Sequence, residues 1–324
     1  MVQQSQGVEP SRSRARSWLG QLAGLLLLLA TIHYVEPAAL LDRLGQLQVG
    51  FIVLGTVLVV PQLHCLALRW RLTAAQLGFP FAQRHAVREY GLSMLLNLLL
   101  PFGVAGDALR VLRHSSDRPQ PKAASLGLAR AFHSVMLERM IGQVVVILWA
   151  VATLPLWFGK TGVWLSAAAL GALLLFTALV RRIPRADTAT RSAPVRALLE
   201  LSLALQLLLA SRRYLGAQLA LSSVITLSIA LQLYCALGAL GLSLSAAQAT
   251  QVFPLMLLSM SLPLAFAGFG PREAVTAELY DILHLSAADG AAFALAFGAI
   301  LICTSLPCLL LVLSLASPAQ GTQP

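Results

Sequence analysis

The sequence is poor in charged residues and contains few cysteines and aromatic side chains. Charged residues make up 11% of the 324 residues, whereas hydrophobic residues make up 58%. This excludes an ordinary soluble domain, in which about a quarter of the residues are charged. The four cysteines, Cys65, Cys235, Cys303 and Cys308, lie in apolar stretches without C-x-x-C spacing. We therefore expect buried small apolar side chains there, and neither a metal site nor a cofactor.

Short motifs of nucleophilic or nucleotide chemistry are also absent from the sequence. There is no G-x-S-x-G and no G-x-x-x-x-G-K-[ST]. The first would mark an exposed serine nucleophile, and the second a loop that cradles phosphates. We therefore expect that this chain is not an enzyme.

What the sequence has in abundance is long apolar segments. Crossing about 30 Å of hydrocarbon takes roughly 20 mostly apolar residues in a helix. Six segments meet this length: 18–35, 47–68, 140–158, 162–180, 214–238 and 288–316. Two more, 91–109 and 246–280, are apolar but interrupted by Pro and Gly. The predicted fold is an all-α polytopic membrane protein with six to eight transmembrane helices.

The predicted organisation is a single transmembrane domain over residues 17–316. Its two halves cover about 17–158 and 162–316, and the polar tails 1–16 and 317–324 have the composition of disordered segments. Each half has the order span, span, broken segment, span. This order predicts an inverted repeat if both broken segments are re-entrant hairpins.

Segment 195–211 is the weak point of that topology. Arg196 and Glu200 are four residues apart, which suits a helix that lies at the membrane interface. The segment is nevertheless apolar enough to insert. If it spans, or if 91–109 crosses fully, the number of spans is seven or eight.

The basic residues that give the net charge of +10 lie mainly between apolar segments. Cytoplasmic loops of membrane proteins carry such an excess of Lys and Arg, with anionic lipid headgroups as partners. This distribution predicts a cytoplasmic N-terminus, with 69–139 and 181–213 inside, and location in the cell membrane. Nucleic acid is not an expected partner. A second copy of the chain or a protein of an envelope pathway remains a possible partner.

The two broken segments resemble each other. Pro101 precedes Gly106 by five residues, and Pro263 precedes Gly268 by five residues, with Gly270 following. Broken helices expose backbone polar groups that must line a cavity, and paired breaks in two halves indicate a transporter binding site.

Polar residues accompany these breaks. The candidate substrate-binding residues are Asn97, Asp107, Arg110, Glu138, Arg139, Arg272 and Glu273. One interpretation is interfacial, with acids that cap helix N-termini and arginines that snorkel. The other is functional, with arginines and backbone N–H groups aimed at an anion and acids that orient the arginines or carry protons. Co-occurrence with both breaks favours the functional interpretation. Arg69 and Trp70, at the end of a span, are predicted to anchor it at the headgroup level.

Four motifs, in the order in which they occur along the chain, resemble those of the lysylphosphatidylglycerol synthase transmembrane-region family of flippase-like membrane proteins. The resemblance runs from about Val49 to Leu313 and rests on these motifs: Arg69-Trp70; Asn97 with Leu100-Pro101, Gly106-Asp107 and Arg110; Glu138-Arg139 with Gly142; and Pro263, Gly268, Gly270 and Arg272-Glu273.

The resemblance implies a lipid-translocating or lipid-linked role. Longer relatives carry a soluble aminoacyl-transferase domain after this region, and only eight residues follow Ala316 here. We therefore expect no aminoacyl transfer by this chain. The leading hypothesis is a flippase-like transporter of an anionic or polar lipid. The alternatives are a non-transporting accessory subunit, and a membrane enzyme that acts on a lipid-linked phosphate with Asp107, Glu138, Glu273 and a divalent cation.

Overall fold

The computed structural model describes residues 11–35, 37–99, 105–116, 124–183, 193–262 and 269–316. Every regular element in these ranges is an α-helix, as predicted. The helices are α1 (Ser11–Tyr34), α2 (Pro37–Gly45), α3 (Val49–Val57), α4 (Val59–Gln76), α5 (Gln83–Leu99), α6 (Ala105–Ser116), α7 (Ala124–Arg182), α8 (Ala193–Ala210), α9 (Arg212–Ala239), α10 (Ala246–Ser259), α11 (Pro271–Ile282), α12 (Ala287–Cys303) and α13 (Ser305–Ala316). Residues 11–16, predicted as part of the N-terminal tail, belong to α1. Residues 1–10 and the C-terminal tail lie outside the described ranges.

Four helices in the described ranges are long and apolar enough to cross a membrane. They are Val49–Gln76, Leu128–Arg182, Arg212–Ala239 and Ala287–Ser314. A fifth is counted if Leu22–Tyr34 and Pro37–Gly45, which are bent by 91°, form one broken span. Four or five is fewer than the six to eight spans predicted.

Helix α7 accounts for part of this difference, because it is counted once although it folds back on itself. Gly159 has φ 55 and ψ −129, which interrupts the helical backbone. Ser166 Oγ donates to the carbonyl of Val151 at 2.7 Å, so the second arm lies along the first. Both arms exceed the roughly 20 residues that a span needs. They contain the predicted segments 140–158 and 162–180.

Helix α8 contains the segment 195–211 except for Ser211, which caps the start of α9. Its apolar stretch in the described part, Leu198–Ala210, is shorter than a span. The structure thus adds no span here by length. Whether α8 lies at the interface stays a prediction.

The first broken segment is a helical hairpin. Helices α5 and α6 pack against each other, and Arg113 on α6 forms an ion pair with Glu89 on α5 at 2.9 Å. A Cβ on Gly106 would collide with the carbonyl of Ser93, so only glycine allows this approach of α6 to α5. The side-chain Oδ1 of Asn97 accepts from the Gly106 N–H at 2.7 Å, which satisfies a free donor at the start of α6.

The second broken segment consists of α10 and α11, which also pack against each other. Gly270 precedes α11 with φ 110, a value that L-residues rarely adopt, and Pro271 occupies the first helical position. A Cβ on Gly270 would collide with the carbonyl of Gly24 in α1. Helix α1 is therefore packed directly on the backbone at the start of α11.

The core lies around α12, which packs against α2, α3, α9 and α11. Ala291, Ala292, Ala294 and Ala296 are all buried along this helix. Small residues let helices approach closely inside a membrane, where lipid offers no hydrophobic drive to associate. Helix α7 packs against both α6 and α10. This helix therefore lies between the two broken segments.

Candidate functional site

A buried ion pair joins α4 to α7 at the centre of the candidate site. Arg69 Nε donates to Glu138 Oε1 at 2.9 Å, and Nη2 donates to the same oxygen. Arg69 Nη1 donates to Ser222 Oγ on α9 at 3.3 Å. Glu138 is completely buried, so its charge is compensated by protein groups and not by water. The pair therefore fixes α4, α7 and α9 relative to one another.

Arg110 on α6 enters the same cluster between two aromatic rings. Its Cζ lies 4.6 Å from the ring centroid of Trp70 and 4.3 Å from that of Tyr90, distances at which cation–π attraction operates. Its Nη2 lies 3.6 Å from Glu138 Oε2. Tyr90 also donates its hydroxyl to Glu138, at 3.3 Å from Oε1. The side chain of Arg110 has no exposed surface.

Asp107 connects this buried cluster to Arg139, which is partly exposed. Its Oδ1 accepts from Arg110 Nη2 and from Ser93 Oγ, both at 3.0 Å. Its Oδ2 accepts from Asn97 Nδ2 at 3.4 Å and lies 2.7 Å from Arg139 Nη2. The carboxylate thus holds side chains from α5, α6 and α7. Bonds from charged donors are the stronger kind of hydrogen bond, so Asp107 orders both arginines.

Arg139 is the accessible arginine of this group. Its side chain is 46% exposed, whereas Arg69 and Arg110 are buried. One turn further along α7, Gln143 donates its Nε2 to Ser261 Oγ, just after α10. Residues four apart lie on one face of a helix. This face of α7 therefore contacts the first broken segment through Arg139 and the second through Gln143.

The second break holds a self-contained ion pair. Arg272 Nε donates to Glu273 Oε1 at 2.9 Å, and both side chains are buried. Glu273 Oε2 also accepts from the Gly270 N–H at 2.7 Å, which caps α11. The rings of Phe269 and Phe297 lie 4.9 and 5.7 Å from Arg272 Cζ. Glu273 thus caps α11 from a buried position, and the buried Arg272 beside it does not snorkel towards the interface.

The anchor assigned to Arg69 and Trp70 is corrected by the structure. Trp70 is fully buried and donates its Nε1 to Ser134 Oγ at 3.2 Å. An anchor must present its ring and its charge to headgroups, whereas both side chains face the protein interior. The reason is that Glu138 and Arg110 bind them there, contacts that adjacency at the end of an apolar run does not reveal.

The predicted site residues separate into two groups. Asn97, Asp107, Arg110, Glu138 and Arg139 meet around the first break, together with Arg69. Arg272 and Glu273 form the second group. Gly106 and Gly270 both allow close backbone contacts, whereas Pro101, Pro263 and Gly268 lie outside the described residues. Among the described residues no three or more His, Cys, Asp or Glu side chains group as metal ligands do. Asp107, Glu138 and Glu273 each form an ion pair with an arginine.

Tyr90, Ser93 and Ser222 belong to the first group and were not among the predicted site residues. A signal for Ser222 exists in the sequence. Tyr214, Gln218 and Ser222 are polar residues four apart in the otherwise apolar α9, a spacing that places them on one face. In the structure all three are buried, and Gln218 donates to the carbonyl of Arg69 at 3.1 Å.

Comparison with known protein families identifies the chain. The family described as the lysylphosphatidylglycerol synthase TM region matches residues 17–307. No curated protein and no solved structure matches the chain significantly. The match covers most of the sequence, and the chain belongs to this family.

Proposed function

We propose that this member of the lysylphosphatidylglycerol synthase transmembrane-region family moves an anionic or polar lipid across the cell membrane. Membership ties the chain to the membrane and to lipid or envelope pathways. The observation that carries the finer proposal is the half-exposed Arg139, held by Asp107 on the helix that separates the two breaks. A lipid phosphate is the anion that an exposed arginine inside a membrane protein would meet.

The buried part of the cluster supports this role by fixing Arg139. Asp107 receives hydrogen bonds from Ser93, Asn97 and Arg110, so it stays in place while Arg139 exchanges one of its partners for a phosphate oxygen. The side chain of Arg139 is 46% exposed, so a phosphate oxygen can approach its guanidinium without displacing a buried group. Asp107 thus orients Arg139, and Arg139 can still bind a phosphate oxygen.

The proposed mechanism is alternating access around α7. The order of span, broken hairpin and span occurs twice, as α4, α5–α6 and the first arm of α7, and again as α9, α10–α11 and α12. We propose that the two sets are inverted with respect to each other, with the N-terminus cytoplasmic, and that one set rocks against the other. Breaking the contact of Gln143 with Ser261 would separate α7 from the second hairpin. The sequence contains no ATP-binding motif, so we propose an ion gradient or the lipid gradient as the driving force.

The test is movement of short-chain fluorescent phospholipids, anionic and zwitterionic, in liposomes that contain the purified protein. We compare wild type with Arg139→Gln, and with Arg130→Gln as a matched control, because Arg130 is an exposed arginine earlier on the same helix. Movement by wild type and the control that is lost in Arg139→Gln is the expected result. No movement of any lipid by wild type would contradict the proposal and favour an accessory subunit without transport activity.

A further inference from the structure

We infer that the site around the first break selects a singly charged phosphodiester over a doubly charged phosphomonoester. The inference deepens the proposed function and rests on it for the lipid nature of the ligand. It is carried by the charges that the structure brings together around Asp107 and Glu138, and by two donors of Arg110.

Among the residues that the structure describes, the charges of the cluster do not cancel. Arg69, Arg110 and Arg139 contribute three guanidinium groups, and Asp107 and Glu138 contribute two carboxylates. The neighbouring pair of Glu89 and Arg113 is neutral as a pair, so including it leaves the same excess of one positive charge. Arg69 and Arg110 balance the two carboxylates, so the excess charge resides on the half-exposed Arg139, which has no second carboxylate to compensate it among the described residues. A bound group with one negative charge would do so.

Arg110 provides the second observation. It is completely buried, and its Nε and Nη1 have no acceptor among the residues that the structure describes. The faces of the guanidinium are covered by Trp70 and Tyr90, so an acceptor must approach in the plane of the group. Buried polar groups normally have partners. A phosphate oxygen that enters beside Asp107 would supply one.

The second break cannot alter this balance. Arg272 and Glu273 neutralise each other, and Arg272 donates from both Nε and Nη2 to Glu273. A phosphodiester carries one negative charge, whereas a phosphomonoester carries about 1.5 to 2 at pH 7, because its second pKa is near 6. The phosphodiester would leave the site neutral, and the fully ionised monoester would leave an uncompensated negative charge.

The experiment measures ligand protection against thermal unfolding of the full-length protein in detergent. The probes are short-chain phosphatidylglycerol as phosphodiester and short-chain phosphatidic acid as phosphomonoester, with soluble glycerophosphoglycerol as an arm that lacks acyl chains. At pH about 8 we expect phosphatidylglycerol to bind about tenfold more tightly than phosphatidic acid. At pH about 5.5, where the monoester loses its second charge, the preference should disappear.

Two variants shift the charge in opposite directions. Asp107→Asn raises the excess to two and should reverse the preference at pH about 8, whereas Arg139→Gln removes the excess and should weaken binding of both lipids. Arg130→Gln, outside the cluster, should behave as wild type. Equal or tighter binding of phosphatidic acid by wild type at pH about 8 overturns the inference, as does the absence of protection by either lipid.

The outcomes separate this inference from the proposed function. If the preference follows the charge but liposomes show no lipid movement, charge selection stands and transport is refuted. If lipids move but the two phosphates bind equally, transport stands and the inference is refuted. Protection by glycerophosphoglycerol equal to that by phosphatidylglycerol would support the charge rule and count against a lipid as ligand.

Discussion

Gly142 on α7 lies against the guanidinium of Arg69 on α4. A Cβ at Gly142 would come within 2.8 Å of Arg69 Nη2 and 2.9 Å of Nη1. The same relationship recurs in the second half, where a Cβ on Gly298 of α12 would lie 2.5 Å from Arg272 Nη2. Each buried arginine therefore occupies space that a glycine on a neighbouring helix leaves open.

Replacement of Gly142 by alanine should destabilise the protein. Because the added methyl group would displace Arg69 from Glu138, we expect a loss of about 1–3 kcal/mol, which is the usual cost of overpacking. The matched control is Gly171→Ala on the second arm of α7, where nothing lies within 4 Å of a Cβ. There the better helix propensity of alanine should be neutral or stabilising, by up to about 1 kcal/mol. Melting temperatures of both variants in the same detergent would check this difference, and equal melting temperatures would contradict it.

Removal of the Glu138 charge alone should lower the free energy of unfolding more than removal of both charges of the Arg69–Glu138 pair. Glu138→Gln leaves Arg69 and Arg110 in the interior without a full counter-charge, and breaking one partner of a buried pair costs about 3–5 kcal/mol. The double variant Glu138→Gln with Arg69→Gln also removes the positive charge of Arg69, so fewer uncompensated charges remain in the interior. We expect the double variant to melt at a higher temperature than Glu138→Gln alone. Additive losses in this double-mutant cycle would show that the pair is not coupled.

Substitutions in the second break should affect stability rather than transport. Arg272 and Glu273 are 1% exposed and contact each other, the cap of α11 and two phenylalanine rings. We expect Arg272→Gln and Glu273→Gln each to lower the free energy of unfolding by about 3–5 kcal/mol. Lipid movement, normalised to folded protein in the liposomes, should stay near the wild-type rate. A selective loss of movement in a variant with an unchanged melting temperature would place Arg272 in the pathway instead.

Asn97 should tolerate neither loss of its side chain nor gain of charge. Asn97→Ala removes the acceptor for the Gly106 N–H, and caps of this kind contribute about 0.5–2 kcal/mol. Asn97→Asp keeps the acceptor but places a second carboxylate beside Asp107 Oδ2, from which the present amide lies 3.4 Å. The repulsion exists while the introduced group is ionised, so the cost of Asn97→Asp should shrink as the pH falls, because protonation removes it. Melting curves of both variants from neutral to acidic pH would show whether only Asn97→Asp has this dependence.

The local part of this structure was predictable from the sequence. Proline and glycine restrict the backbone wherever they occur, which is why the segments around Gly106 and Gly270 were recognised as breaks. The apolar runs that became α9 and α12 were also evident, since length and composition alone decide that a segment suits the membrane. Gly159 falls between two predicted spans, and the chain folds back there.

The tertiary part was not predictable in the same way. Arg69 and Glu138 are 69 residues apart, and the sequence around each of them does not indicate that the other is its partner. Trp70 has the sequence context of an interfacial anchor, yet its ring stacks on Arg110. The polar residues divide into a partly exposed group around the first break and the buried pair of Arg272 and Glu273. This division depends on burial, which follows from how the helices pack and not from their order along the chain.

The contact between Gly24 and Gly270 also bears on biosynthesis. Gly24 in α1 is synthesised well before Gly270, the residue on which this part of α1 packs. The face of α1 at Gly24 therefore has no packing partner until α11 has been synthesised, and it must remain uncovered while the intervening helices insert.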